Sequence, residues 1–172
     1  MDGAGDANKC CDLLRQAQIP TVRGNHDAWF SRDYGREMPH ATRAADVSGL
    51  NRAWLENLPS TLRFETSRGA LLLCHGLGEN NMASVKNDDY GYALEANFEL
   101  QNLIERREFP FILNGHTHQT MAKRFGALAM LNPGALSRAG GGSLAVFDFS
   151  AGLAQWQGFA DGEICSRATL QF

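Results

Sequence analysis

The sequence has no long apolar run, no excess of basic residues and few cysteines. None of its apolar stretches approaches the roughly 18–20 residues that a membrane-spanning helix needs, so we expect no membrane segment. The 16 Lys and Arg residues stand against 19 Asp and Glu residues, for a formal net charge of −3. This balance disfavours a protein that binds nucleic acid regardless of base sequence.

The 4 cysteines do not form the framework of a disulfide-rich domain, and their spacing fits no zinc motif. Cys10 and Cys11 are neighbours in the chain, while Cys74 and Cys165 are expected to be small buried apolar residues. The first residues also lack the basic and apolar regions of a signal peptide. The sequence therefore predicts reduced thiols and a cytoplasmic protein.

The 172 residues are 44% hydrophobic and 20% charged, which is typical of a single globular domain with one sizeable core. Apolar periodicity predicts helices over 6–16, 47–58 and 92–107. Predicted strands cover 61–64, 70–74, 109–113, 127–131, 143–149 and the tail after 151, and Thr21-Val22 is expected to end a further short strand. This mixture predicts an α/β fold with one domain over 1–172.

Three apolar segments run into turns that are rich in Gly, His and Asn. The turns are Gly24-Asn25-His26-Asp27, Cys74-His75-Gly76 and Gly115-His116-Thr117-His118. They hold 4 of the 5 histidines, and His40 is expected to be an ordinary surface residue. Ligand sites of α/β layers lie at strand ends, so the turns predict one metal or phosphate site.

The residue types in these turns suit a divalent metal. Imidazole is a good ligand for Mn, Fe, Ni and Zn, and Asn25 offers a neutral carbonyl oxygen. If the backbone is extended, the spacing of His116 and His118 sends both rings to one side. The pair could then serve two metals about 3.5–4 Å apart, the separation typical of two-metal phosphoryl-transfer sites.

In this order, the three turns resemble the last three signature blocks of the calcineurin-like metallophosphoesterases. Leu131-Asn132-Pro133-Gly134-Ala135 is similar to the Asn-Pro-Gly block that follows in small single-domain bacterial phosphodiesterases of this type. The resemblance covers roughly residues 1–150. It implies an α/β sandwich of two mixed β-sheets flanked by helices, with metals at the strand ends.

The resemblance also implies a ligand set. Asn25, His75 and His116 would ligate one metal, and His118 the other. Two divalent ions are implied, with Mn²⁺ favoured and Fe, Ni, Zn or Mg as alternatives. Substrate identity stays open among small-molecule phosphoesters, with phosphodiesters favoured.

Two further residues receive catalytic roles from the same resemblance. His26 would lie near the leaving-group oxygen, where it stabilises charge or donates a proton, and Asp27 would orient His26. A metal-bridging hydroxide would attack phosphorus in line, opposite the leaving group. The implied function is a metal-dependent phosphoesterase.

The family pattern begins with two earlier blocks, an Asp-x-His turn and a Gly-Asp turn, which the chain does not contain. On this alignment the Asp that bridges the metals would lie just upstream of Met1, unless Gly5-Asp6 is that turn. Relative to the family, the chain is expected to be truncated at its N-terminus. Three explanations stay open: a fragment or wrongly assigned start, a segment supplied by a partner, and true loss of the binuclear site.

Two other functions compete with the phosphoesterase. The absent half-site favours a non-catalytic protein-binding scaffold on the same fold, with a protein partner on an apolar patch. A nuclease ranks lower, because the chain is short, acidic and without a basic stripe. A homo-oligomer is possible for either of the first two functions.

Three smaller features have both a functional and a structural interpretation. Trp29 and Phe30 could line a substrate pocket or pack in the core, and Asp88-Asp89-Tyr90 could rim the site or form an exposed acidic turn. The Asn132-Pro133-Gly134 turn is expected to be mainly structural, because Pro and Gly favour a tight turn.

Overall fold

The computed structural model describes residues 5–31, 42–136, 142–160 and 163–172. His40 therefore lies outside the described residues, and its predicted surface position is untested. The helices are α1 (Ala7–Gln16), α2 (Asn25–Ser31), α3 (Gly49–Glu56), α4 (Tyr92–Glu95) and α5 (Phe98–Arg106), with a short 3-10 turn at Ala44–Asp46. Within the described ranges, no helix combines the length and apolar character that crossing a membrane requires.

A five-stranded mixed sheet forms the centre of the fold. Its strands are β1 (Thr61–Thr66), β2 (Gly69–Cys74), β3 (Phe111–Leu113), β4 (Thr120–Phe125) and β5 (Leu128–Pro133), in the order β1-β2-β3-β5-β4. The three inner strands are parallel, whereas each edge strand is antiparallel to its neighbour. The carboxyl ends of β2, β3 and β5 therefore lie at one edge of the sheet.

The inner strands are buried on both faces because apolar side chains occupy successive positions. Leu72, Ile112 and Met130 belong to the core beneath α4 and α5, together with Leu100 at 0% exposure. Their immediate neighbours in each strand face the opposite way and form the core towards a second sheet. Continuous apolar runs are typical of parallel strands covered on both sides.

The second sheet has three strands, β6 (Ser143–Asp148), β7 (Leu153–Ala160) and β8 (Glu163–Gln171), in the order β6-β7-β8. Its inner face packs Ala154 and Trp156 against the large sheet, with Phe172 at their side. The predicted α/β sandwich is confirmed. The smaller sheet is antiparallel throughout its described strands, so the expected mixed pairing applies only to the larger sheet.

The N-terminal helices form a separate apolar cluster of Cys11, Val47, Leu55 and Leu58. Helix α1 begins where the Asp6 side chain accepts a hydrogen bond from the backbone N–H of Lys9 at 3.0 Å. Ser48 caps α3 in the same way through the N–H of Asn51. Asp6, considered above as part of a Gly-Asp turn, thus serves as a helix cap.

Two predicted elements differ from the structure, and one observed strand was not predicted. Thr21-Val22 lies in irregular backbone rather than in a strand. The helix expected over 92–107 is two helices, because Asn97 accepts a bond from Leu100 N–H and starts α5. Strand β4 was not predicted at all. The described cysteines are free thiols as expected, although Cys165 is only half-buried.

Candidate metal centre

The centre of the candidate site lies beyond the parallel strands β2 and β3. Leu73 pairs with Leu113, and two residues further along each strand the backbone N–H of Gly115 donates to the carbonyl of His75 at 2.9 Å. Because the strands are parallel, the segments that follow them run side by side. The sheet therefore brings His75 and His116 together across 41 residues of sequence.

Asn25 reaches the same place from a helix start. The Gly24 carbonyl accepts the N–H of Ala28 at 3.1 Å, and Oδ2 of Asp27 accepts the N–H of Gly24 at 2.9 Å. An acidic side chain that returns to the first backbone N–H stabilises a helix N-terminus. The expectation that Asn25, His26 and Asp27 form a turn after a strand is thus wrong, since all three open α2.

Three potential ligand atoms converge in a part-buried cluster. Asn25 Oδ1 lies 2.7 Å from Nε2 of His75, and Nδ1 of His116 lies 3.3 Å from the same nitrogen. The rings of His75 and His116 meet edge to face, with centroids 5.2 Å apart. Which of these atoms donates and which accepts depends on the tautomers of the two rings.

The spacing of these atoms is comparable with that of ligands around one divalent ion. Ligands about 2.1 Å from one ion stand roughly 3.0–3.4 Å from each other. The 3.3 Å separation lies in that range, and the 2.7 Å separation is shorter. Two imidazoles and one amide oxygen also form a donor set suited to borderline divalent metals. Across the residues that the structure describes, no three His, Cys, Asp or Glu side chains are grouped so that they could hold a metal ion.

The electrostatic environment keeps the imidazoles neutral. Burial lowers the pKa of His75 to about 4, the positive charges of His116, His26 and His118 act in the same direction, and Asp27 opposes them. Burial and the charge of His118 also lower the pKa of His116, against the backbone carbonyl of Met82. A neutral imidazole is the form that binds metal, so both rings are ready to do so at neutral pH.

His118 and His26 lie close enough to His75 for their charges to lower its pKa. The ring of His26 packs against Trp29, with centroids 5.0 Å apart. Trp29 therefore lies beside the site, whereas Phe30 packs in the helical core.

Small residues surround the ring of His75. A Cβ on Gly24 would lie 3.1 Å from both Cε1 and Nδ1 of His75, and one on Gly115 would lie 3.8 Å from Nδ1. A Cβ on Gly76 would meet the backbone carbonyls of Asn80 and Ala83, the latter at 2.7 Å. These glycines let the chain approach the ring and turn sharply next to it.

The backbone of the His116–His118 segment is strained rather than extended, contrary to the expectation. His116 and His118 have φ values of 63° and 60°, a region that side-chain-bearing residues seldom adopt. The N–H of Thr117 donates to the Gly115 carbonyl at 2.7 Å, which closes a three-residue turn around His116. Such strain persists only where neighbouring groups maintain it.

Asn132 contacts this segment, although it belongs to the turn that was expected to be mainly structural. It is 0% exposed, and its Nδ2 donates to the Gly115 carbonyl at 2.7 Å and to Oγ1 of Thr117 at 3.3 Å. Its Oδ1 accepts the N–H of Gly134 at 2.8 Å. The Asn-Pro-Gly signal was visible in the sequence, but its contact with the histidine turn was not.

The loop after His75 folds back towards β4. Nζ of Lys123 donates to the carbonyls of Lys86 and Asn87, each at 3.2 Å, and to that of Asp89. Oδ2 of Asp89 accepts the N–H of Lys86, while Tyr90 is 83% exposed. Asp89 thus acts in a surface turn, the structural interpretation of Asp88-Asp89-Tyr90.

Comparison with known proteins places this geometry in context. A sequence model described as the calcineurin-like phosphoesterase superfamily domain matches residues 3–152. The structure is similar to that of a hypothetical protein from Pyrococcus horikoshii, with a TM-score of 0.58 and 12% identity over 95% of this chain and 66% of that chain. No curated protein matches the chain.

Two further solved structures resemble the chain more weakly. A single mutant of Vps29 from Entamoeba histolytica has a TM-score of 0.46 and 18% identity over 68% of this chain and 63% of that chain. A predicted phosphoesterase from Streptococcus pneumoniae has a TM-score of 0.45 and 17% identity over 96% of this chain and 94% of that chain. The chain therefore spans 63% of the length of Vps29, the first of these proteins.

Proposed function

The chain belongs to the calcineurin-like phosphoesterase superfamily, and from this we propose that it hydrolyses phosphoesters with a divalent metal held by Asn25, His75 and His116. The observation that carries the proposal is the convergence of one amide oxygen and two imidazole nitrogens within 2.7 and 3.3 Å. A divalent metal at these atoms would supply Lewis-acid polarisation of the phosphoryl group and a nucleophile at neutral pH.

The protein groups have separate tasks in this proposal. His75 and His116 stay neutral because burial lowers the pKa of each ring, and so they offer lone pairs to the metal. His26 donates a proton to the leaving-group oxygen, and its packing against Trp29 holds the ring in place. Asp27 orients the ring of His26. His118 is proposed as a ligand of a second ion.

The finer assignments are part of the same proposal. We propose a small phosphodiester as the substrate, because a diester carries one negative charge and places little demand on basic side chains. Mn²⁺ is the favoured ion, since imidazole and amide oxygen ligands suit it along with Fe, Ni and Zn. The free thiols of Cys11 and Cys74 are consistent with a reducing compartment and hence with a cytoplasmic location.

A protein-binding scaffold is the second candidate. It is favoured by three exposed aromatic side chains after the His75 loop, namely Tyr90, Tyr92 and Phe98 at 83%, 81% and 73% exposure. Contiguous exposed apolar patches are typical of interaction surfaces, and these three side chains are close together in sequence. In that case the metal, if bound at all, would stabilise the loops without turnover.

The deciding experiment measures hydrolysis of bis(p-nitrophenyl) phosphate with Mn²⁺, with Zn²⁺ and with a chelator present. We expect turnover with a metal that disappears with the chelator and in His116→Ala. Asn25→Ala removes the amide ligand and should also abolish turnover, whereas Asn57→Ala, an exposed residue at the end of α3, should retain it. Turnover that survives His116→Ala would contradict the proposed site, and folded protein without turnover would favour the scaffold.

A further inference from the structure

The side chain of Asn132 divides its hydrogen bonds between two tasks. Its Oδ1 accepts the N–H of Gly134 at 2.8 Å, a local bond that shapes the turn after β5. Its Nδ2 points the other way and donates to the Gly115 carbonyl at 2.7 Å and to Thr117 Oγ1 at 3.3 Å. The amide nitrogen, but not the oxygen, therefore serves the segment that carries His116.

The Gly115 carbonyl is the acceptor that closes the strained turn around His116. It receives the N–H of Thr117 at 2.7 Å as well as the amide of Asn132. The residue between the two ends of this turn, His116, has a φ of 63°. The bond from Asn132 to the Gly115 carbonyl adds a second donor that stabilises the strained backbone of the turn.

Asn132 is itself held rigidly by the core. It is 0% exposed, and its backbone carbonyl accepts the indole N–H of Trp156 at 2.9 Å. Trp156 belongs to the core between the two sheets, where its ring meets Phe147 edge to face. The hydrogen bonds that stabilise the turn around His116 thus connect β5 with Trp156 of the second sheet.

We propose that Asn132 is a positioning residue that orients His116 for metal binding through the Gly115 carbonyl. This inference rests on the proposed function, because it assigns His116 to a metal. Groups behind a ligand commonly change metal affinity about 10–100-fold when they are altered. Asn132 touches no candidate ligand atom in the described contacts, so its effect must pass through the backbone of the turn.

The test uses Asn132→Asp, which keeps an acceptor for Gly134 and removes the donor to Gly115. Mn²⁺ binding to the full chain is measured by isothermal titration calorimetry, and unfolding midpoints are measured in parallel. We expect the dissociation constant to rise about 10–100-fold. Phe149→Leu, which weakens the core where its ring meets Phe111 and Phe172, should keep the dissociation constant within about threefold of wild type at a comparable loss of stability.

A second pair of variants covers the case in which Asn132→Asp does not fold. Thr117→Val removes the hydroxyl that accepts from Asn132 and from the N–H of Gln119, and Thr117→Ser retains it. We expect weaker Mn²⁺ binding for the valine variant and wild-type binding for the serine variant. Two outcomes would overturn the inference. One is a Mn²⁺ affinity that follows stability alone across all these variants, and the other is wild-type affinity both in Thr117→Val and in folded Asn132→Asp.

A metal-free measurement separates this inference from the proposed function. If wild type binds no divalent metal, the proposed function fails, but amide hydrogen exchange still tests the positioning. In Asn132→Asp, or in Thr117→Val if the former does not fold, the backbone amide of residue 117 should exchange at least about tenfold faster, while amides of β3 and β5 keep their rates. An equal acceleration throughout the sheet, or none at Thr117, would contradict the positioning role.

Discussion

Nε2 of His75 lies 2.7 Å from Oδ1 of Asn25, although 50 residues separate them in the chain. His75 follows the buried strand β2, whereas Asn25 opens helix α2, so local structure does not bring the two side chains together. Their approach is a property of the tertiary fold. It joins the helical N-terminal part to the edge of the large sheet at the candidate metal centre.

The burial of His75 predicts how the metal-free protein responds to acid. The pKa of His75 is about 4 in the folded state against 6.5 in a free chain, so below pH 6.5 the unfolded chain binds a proton that the folded chain excludes. Stability should therefore be greatest above pH 6.5 and fall as pH decreases towards 4. Urea unfolding between pH 5 and 7 measures this slope, which should be smaller in His75→Asn.

The central strand β3 should carry much of the stability. Ile112 is 0% exposed between β2 and β5, so Ile112→Ala leaves a cavity in a core that has neighbours on both strands. We expect a loss of about 2–5 kcal/mol in the free energy of unfolding. Val146→Ala, at a position 50% exposed on β6, is the comparison and should change it by about 0.5 kcal/mol. Similar losses for both would contradict the assigned core.

Alanine substitutions at two glycines should change the free energy of unfolding in opposite directions. A Cβ on Gly76 would collide with backbone carbonyls that cannot move away easily, so Gly76→Ala should cost about 1–3 kcal/mol. Gly49 lies in α3 with nothing within 4 Å of its added Cβ, so Gly49→Ala should stabilise the protein by about 0.5–1 kcal/mol. Thermal unfolding of the two variants checks both signs.

Lys123 should control the order of the loop that it contacts. Lys123→Met keeps the length of the side chain but removes its bonds to the carbonyls of Lys86, Asn87 and Asp89. We expect faster proteolytic cleavage within 86–90 and a loss of about 1–2 kcal/mol in unfolding free energy. The exposed Lys9→Met on α1 serves as the control, and equal cleavage rates in the two variants would refute the assignment.

Much of the large sheet was predictable because its signal is strong. The runs at β2, β3 and β5 are apolar at successive positions, as strands buried on both faces require. β4 was missed because it is an edge strand in which Lys123 and Arg124 interrupt the apolar pattern. Edge strands commonly carry such charges, which hides them from periodicity.

The residues of the candidate site were predicted better than their backbone. Gly and His spacing indicated which turns meet, but the positive φ of His116 and His118 depends on tertiary support and has no local signal. The start of α2 was missed for a different reason. Asp27 stabilises it by accepting the Gly24 N–H, a capping contact that a strand-end interpretation of the motif overlooked.

The parallel pairing of β2 with β3 and of β3 with β5 has a consequence for how the chain acquires its fold. Parallel neighbours need long connections, so many contacts join residues far apart in sequence, and chains of this kind fold more slowly than those built from local contacts. The bond from Gly115 to His75 forms only after the connection through α4 and α5 has closed. Helices alone cannot assemble the three-atom cluster of Asn25, His75 and His116. The cluster therefore reports that the parallel strands have reached their native pairing.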